Sequence, residues 1–129
     1  MLAVMENSSS PVQPIDNAHT ARYTLDLNTE FLEWDEGLHA VLGYEPSDQT
    51  RTLEWWTDHI HPDDAMVLNE AMGRLVFPWT KEWTVEYRFK KADNTYVLVH
   101  DRATVVRDQT QQAVRLEGVM WPADQPVAK

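Results

Sequence analysis

The 129-residue sequence contains no cysteine. That absence excludes disulfides, thiolate nucleophiles, cysteine-ligated zinc and cysteine-bound chromophores together. Positive charge is scarce: 11 Lys and Arg stand against 21 Asp and Glu, a formal charge of −10. So acidic a surface repels phosphate backbones and anionic lipid, and no basic cluster in the sequence offsets it, so neither nucleic acid nor a membrane is an expected partner. No apolar run approaches the roughly 20 residues of a membrane span. The opening Met1-Leu2-Ala3-Val4-Met5 is too short for a signal peptide's apolar region and has no Lys or Arg before it. These absences predict one cytoplasmic domain, and an apolar fraction of 43% with 25% charged residues is enough for a core.

What is present begins with two weakly structured ends. Residues 1–18 include Ser8-Ser9-Ser10, Pro11 and Pro14 without an apolar period, and read as a flexible N-terminal segment. Residues 122–129, with Pro122 and Pro126, read as a C-terminal tail, which leaves residues 19–121 as the domain.

Within those limits the hydrophobic period changes from two to 3.6 and back. Tyr23, Leu25 and Leu27 alternate with polar residues as a first strand, and Glu30 to Trp34 form a second. Asp35 is placed to cap a helix over Glu36 to Leu42, which Gly43 stops. Leu53, Trp56 and Ile60 share one face of a short helix. His61-Pro62-Asp63-Asp64 then opens the longest helix, with the apolar stripe Ala65, Leu68, Ala71, Met72, Leu75 and Val76, ended by Pro78. Trp83, Val85, Tyr87 and Phe89 alternate as a half-buried strand. Asn94 sits in a hairpin turn, Tyr96 to Val106 form a long strand, and Ala113 to Trp121 close a three-strand meander. Such an order predicts an α+β fold, a five-stranded antiparallel sheet with short helices packed on one face.

The order and its residues resemble a PAS domain, the small sensory fold of signalling proteins. The resemblance rests on Leu42-Gly43-Tyr44, Trp55-Trp56, His61-Pro62-Asp63-Asp64 and Glu86-Tyr87-Arg88. The meander Asp93-Asn94-Thr95-Tyr96, Arg107-Asp108 and Arg115-Leu116-Glu117-Gly118-Val119 extends it from about Tyr23 to Trp121. Two turn and strand positions depart from the family, Asn94 in place of glycine and Leu98 in place of tryptophan. The usual closing Asp-Ile-Thr is replaced by Met120-Trp121-Pro122-Ala123-Asp124, where Pro122 opposes an unbroken output helix. The resemblance implies a sensory and interaction module of a bacterial signal-transduction protein. Its partners would be a second copy or a signalling protein such as a histidine kinase or cyclase output module.

Several side chains compete for a chemical role. His59, His61, Asp63 and Asp64 have metal-ligand chemistry, but a helix start explains them, and no metal is expected. His39 and His59 are the available haem ligands, because haem in this family commonly binds a histidine on the long helix and this one has none. Trp56, Tyr87 and Phe89 have the rings to stack on a non-covalent flavin, although core packing accounts for them and no cofactor is expected. Asp101 shares the inward face of Val97, Val99, Ala103 and Val105. A small enzyme would use it as a base, but a second catalytic group is lacking, so no enzyme is expected. His100 reads as a surface residue. A small-molecule pocket, if open, would be lined by Leu42, Trp56, Leu68, Met72, Tyr87, Phe89, Val97 and Val99. The opposite face gathers Tyr96, Leu98 and Trp121 beside Glu86, Arg88 and Arg102, an apolar centre rimmed by charge that suits a protein partner. Glu86 is expected to pair with Arg88 or Arg102.

Overall fold

The computed structural model describes residues 20–47 and 49–123, so the N-terminal segment and most of the C-terminal tail lie outside the described residues. Strand β1 (Ala21–Asp26) buries Ala21, Tyr23 and Leu25 on one face. Asp26 closes it, accepting backbone N–H bonds from Asn28 and Thr29 at 2.8 and 3.0 Å. Strand β2 is only Leu32–Trp34, shorter than its sequence suggests. Glu30 takes a left-handed φ of 64°, and Phe31 leaves the strand to bridge Thr52.

Helix α1 (Gly37–Leu42) starts beside Asp35, whose carboxylate accepts from the Gly37 N–H at 2.8 Å and from the Arg22 N–H at 3.0 Å. Gly43, at φ 86°, ends it in the left-handed conformation that glycine adopts without a side-chain penalty. Helix α2 (Leu53–Asp58) is capped by Thr52, whose hydroxyl accepts from the Trp55 N–H at 3.0 Å. The expected long helix is divided. Pro62–Asp64 form a tight 3-10 turn, α3 runs over Ala65–Gly73, and a second 3-10 turn covers Arg74–Val76. Gly73, a poor helix former, stands where the winding changes. The buried stripe is correspondingly narrow: Leu68, Ala71 and Leu75 are buried and Met72 half-buried, while Ala65 and Val76 face solvent, against expectation.

The meander matches its period. Strands β3 (Glu82–Lys90), β4 (Tyr96–Arg107) and β5 (Ala113–Pro122) alternate between core and surface over most of their length. Asn94 has a φ of 70°, and Asp93 accepts from the Thr95 N–H and hydroxyl to fix the first turn. All pairings are antiparallel and the sheet order is β2-β1-β5-β4-β3, so the first and last strands meet at its centre. Leu38, Leu42, Trp56, Leu68 and Ala71 pack against Tyr23, Leu25, Tyr87, Phe89, Val99 and Met120 in one core. The helices therefore cover one face of an α+β fold. Among the described residues no helix is long and apolar enough to cross a membrane.

Candidate functional site: the inner core and the outer sheet face

The inner face holds a charged group at its centre. Asp101 of β4 is fully buried. Its Oδ1 accepts from the Tyr23 hydroxyl and its Oδ2 from the Tyr87 hydroxyl, each at 2.6 Å. The Trp83 indole N–H lies 3.4 Å from Oδ1, and the Trp56 indole donates to the Tyr87 oxygen at 3.0 Å. These partners are side chains from β1, α2 and β3, so the network ties three parts of the fold together. Burial pushes the Asp101 carboxyl up to about 6, and the three neutral donors hold it from rising further. Tyr23 and Tyr87 are raised well above their ordinary range, first by burial and then by the nearby carboxylate.

Reaching Asp101 from β1 requires crossing β5, and Gly118 makes that path. Gly118 stands opposite Tyr23 in the ladder, and a Cβ there would lie 2.3–2.5 Å from the end of the tyrosine ring. Its neighbour in β4 is Ala103, also small. The inward positions of Tyr23 and Trp83 and the glycine between strands are visible in the sequence. Their convergence on Asp101 depends on β1 and β5 being adjacent, which local periodicity does not carry.

Six of the eight residues expected around a pocket, Leu42, Trp56, Leu68, Tyr87, Phe89 and Val99, are buried in the core; Met72 and Val97 are half-buried at its margin. Trp56–Tyr87 and Tyr87–Phe89 ring centroids are each 6.5 Å apart, and Tyr23 lies 5.3 Å from Trp56. Aromatic burial of this kind stabilises by roughly 2–3 kcal/mol per ring. Three clefts open elsewhere on the molecule, and none is lined by these eight residues or by Asp101.

The histidines and carboxylates of the helical middle go to separate partners. His59 Nδ1 lies 2.7 Å from the Trp55 carbonyl, with its ring 4.4 Å from Trp55 and stacked on Phe89 at 5.8 Å. His61 Nδ1 accepts from the Asp63 N–H, and His39 is 3.2 Å from Glu45. Asp64 turns to Arg88. Among the described residues no three His, Asp or Glu side chains converge as a metal site would need.

The opposite face of the sheet is charged and partly apolar. Tyr96 and Leu98 are each 41% exposed. The ion pairs differ from expectation. Glu86 faces His100 in the ladder and lies 3.2 Å from its Nδ1, whereas Arg102 reaches diagonally to Glu82 at 3.0 Å. Trp121 belongs to this face by register, opposite His100, and its ring lies 5.3 Å from that histidine. It is only 2% exposed, so it adds no open surface to the patch. A polar groove of about 420 Å³ crosses the same face between Arg22, Thr24, Glu82, Arg102, Thr104 and Glu117.

One seam joins the helical middle to this outer face. Arg88 binds Asp64 through its backbone N–H at 2.8 Å, Nε at 2.9 Å and Nη2 at 3.0 Å. The guanidinium holds the Asp64 carboxyl down to about 2. Two backbone bonds flank the pair, His61 N–H to the Arg88 carbonyl and Lys90 N–H to the His59 carbonyl, at 2.9 and 2.8 Å. Beyond them the His61 ring lies 4.8 Å from Tyr96, on the neighbouring strand. Asp64 and Arg88 stand 24 residues apart and both lie in motifs that carry the family resemblance.

The comparisons agree with this geometry. The family model described as the PAS fold matches residues 31–120. The N-terminal domain of a diguanylate cyclase with a PAS/PAC sensor from Marinobacter aquaeolei superposes with a TM-score of 0.70 at 25% identity, covering 80% of this chain and 94% of that one. A sensory box histidine kinase/response regulator from Burkholderia thailandensis gives 0.67 at 21% identity, over 82% and 78% of the two chains. The PAS-B domain of Drosophila melanogaster Cycle, with bound ethylene glycol, gives 0.64 at 18% identity, over 79% and 98%. No curated protein matches at a comparable level. A sheet ordered β2-β1-β5-β4-β3 with its helices on one face, matched over most of its length by that model, places the chain in the PAS-fold family.

Proposed function

We propose that this domain is a non-catalytic sensory and interaction module of a cytoplasmic signalling protein, and that it works by changing what its outer sheet face presents to a partner. The observation that carries this reading is the seam at Asp64 and Arg88. It couples the start of α3 to β3 by three hydrogen bonds, and it places His61 against Tyr96 beside Leu98. A shift of the helical middle therefore alters the face on which the exposed Tyr96 and Leu98 lie. The partner on that face is a second copy of the domain or the output module of a kinase or cyclase. Asp101 supports the non-catalytic reading, because both its oxygens are occupied by phenol protons and it has no exposed surface.

A small-molecule trigger fits the same mechanism. The eight candidate residues form an apolar, aromatic core of which Met72 and Val97 are the half-buried margin. The test of the contact face is sedimentation across a concentration series. The unchanged protein self-associates, and Leu98→Asp, at an exposed site, remains folded and shifts to monomer. Identical sedimentation of the two proteins contradicts a second copy as the partner on this face.

A further inference from the structure

The turn between α3 and β3 carries an apolar surface that neither the core nor the outer sheet face uses. Val76 and Trp79 are 75% and 72% exposed and Phe77 44%. The Phe77 and Trp79 rings stack 4.9 Å apart at 17°. Rings so exposed and so close together mark contact surfaces more often than idle ones.

Arg107 holds this turn in place. Its Nη1 donates to the carbonyls of Leu75 at 3.1 Å and Gln111 at 2.9 Å, and its Nη2 to those of Phe77 at 2.7 Å and Thr80 at 2.9 Å. Four of the five guanidinium N–H donors are thereby spent on neutral acceptors. The fifth, on Nε, is buried and has no partner among the described residues. Among the described residues no carboxylate pairs with Arg107. The nearest candidate in sequence, Asp108, turns its oxygen to Thr110 and Gln112 of its own turn.

Beside the turn a cleft of about 460 Å³ opens, lined by Leu75, Val76, Pro78, Arg107, Gln111 and Ala113 among others, and among the described residues no acid lines it. Residues 74–81 add two exposed cations, Arg74 and Lys81, and no acid. The exposed Glu70 and Glu82 flank this cationic stretch, and the exposed Asp108 follows Arg107. The stretch lies at the opposite end of β3 from Tyr96, since Lys90 pairs with Tyr96 and Glu82 with Thr104.

We propose that the cleft and the adjoining Phe77–Trp79 pair are a docking site for a peptide segment of a partner protein in which Asp or Glu stands beside large apolar side chains. The volume suits one or two such side chains. The clamped aromatic pair offers rigid contact area at little entropic cost, and Arg74, Lys81 and Arg107 supply the charge an acidic segment requires.

The test selects a phage-displayed library of random 12-residue peptides on the immobilised full chain, then titrates the recovered peptides in solution. The expected peptides are enriched in Asp or Glu next to Leu, Phe or Trp. They lose at least about tenfold in affinity for Trp79→Ala and for the double variant Arg74→Glu, Lys81→Glu. They bind Leu98→Asp unchanged, which separates this site from the outer sheet face. All four substituted positions are exposed, and unchanged melting confirms the fold of each variant. Recovery of no binding peptide, of neutral or basic ones, or of peptides indifferent to Trp79→Ala overturns the proposal. So does a dimer that Trp79→Ala alone dissociates, which would give the surface to a second copy.

Discussion

Asp101 and Asp64 are the same residue type in opposite circumstances. Asp101 sits at the centre of the core among neutral hydroxyl and indole donors, and burial raises its carboxyl to about 6. Asp64 sits at the rim against a guanidinium that lowers its carboxyl to about 2. The difference shows what each does. Asp101 fixes one arrangement of β1, β3 and α2 at an energetic cost that its donors offset. Asp64 joins a helix start to an edge strand through a partly exposed pair.

The largest effect separating them belongs to Asp101→Ala. It leaves the Tyr23 and Tyr87 hydroxyls and the Trp83 indole without their acceptor, and stability falls by about 3–5 kcal/mol in urea unfolding. A loss below about 1 kcal/mol would show that the network is incidental.

The pH dependence comes next. The folded state keeps the Asp101 proton up to about pH 6, whereas an unfolded carboxyl releases it near its ordinary value of 3.8. Between those limits the native state binds more protons, so stability falls as pH rises, by on the order of 3 kcal/mol, and levels off above. Asp101→Asn removes that slope in melting curves taken from pH 4 to 7. Asp64 has the opposite sign: its contribution is complete above about pH 4 and is lost as pH falls toward about 2.

Asp64→Asn is milder, costing about 1–2 kcal/mol because the pair is partly exposed and the backbone bonds of the seam remain. Smallest of all is Leu98→Asp, which changes stability by less than about 0.5 kcal/mol while altering self-association. A large stability loss there would mean that the outer face is structural.

The sequence made the inner face largely readable. Alternation in β3 and β4 placed Tyr87, Phe89, Val99 and Asp101 inward, and burial follows that order. It was less informative where tertiary contacts decide. Trp121 stands on the outer face by alternation yet is nearly buried, and Glu86 meets His100 because the ladder sets them opposite. The carboxylate–tyrosine network depended on β1 lying beside β5, a pairing separated by almost the whole domain. The division of the long helix was hidden because Gly73 lies between apolar residues that keep a helical spacing.

On the proposed reading the seam carries changes in the helical middle to the outer face while the Asp101 core stays fixed. The most direct measurement compares two-dimensional nitrogen–proton spectra of the unchanged protein and Asp64→Asn. Displaced amide signals are expected at Tyr96, Leu98 and His100, with the Trp56 and Trp83 indole signals unmoved. Displacements confined to residues 61–66 and Arg88, or indole signals that move with them, would contradict it.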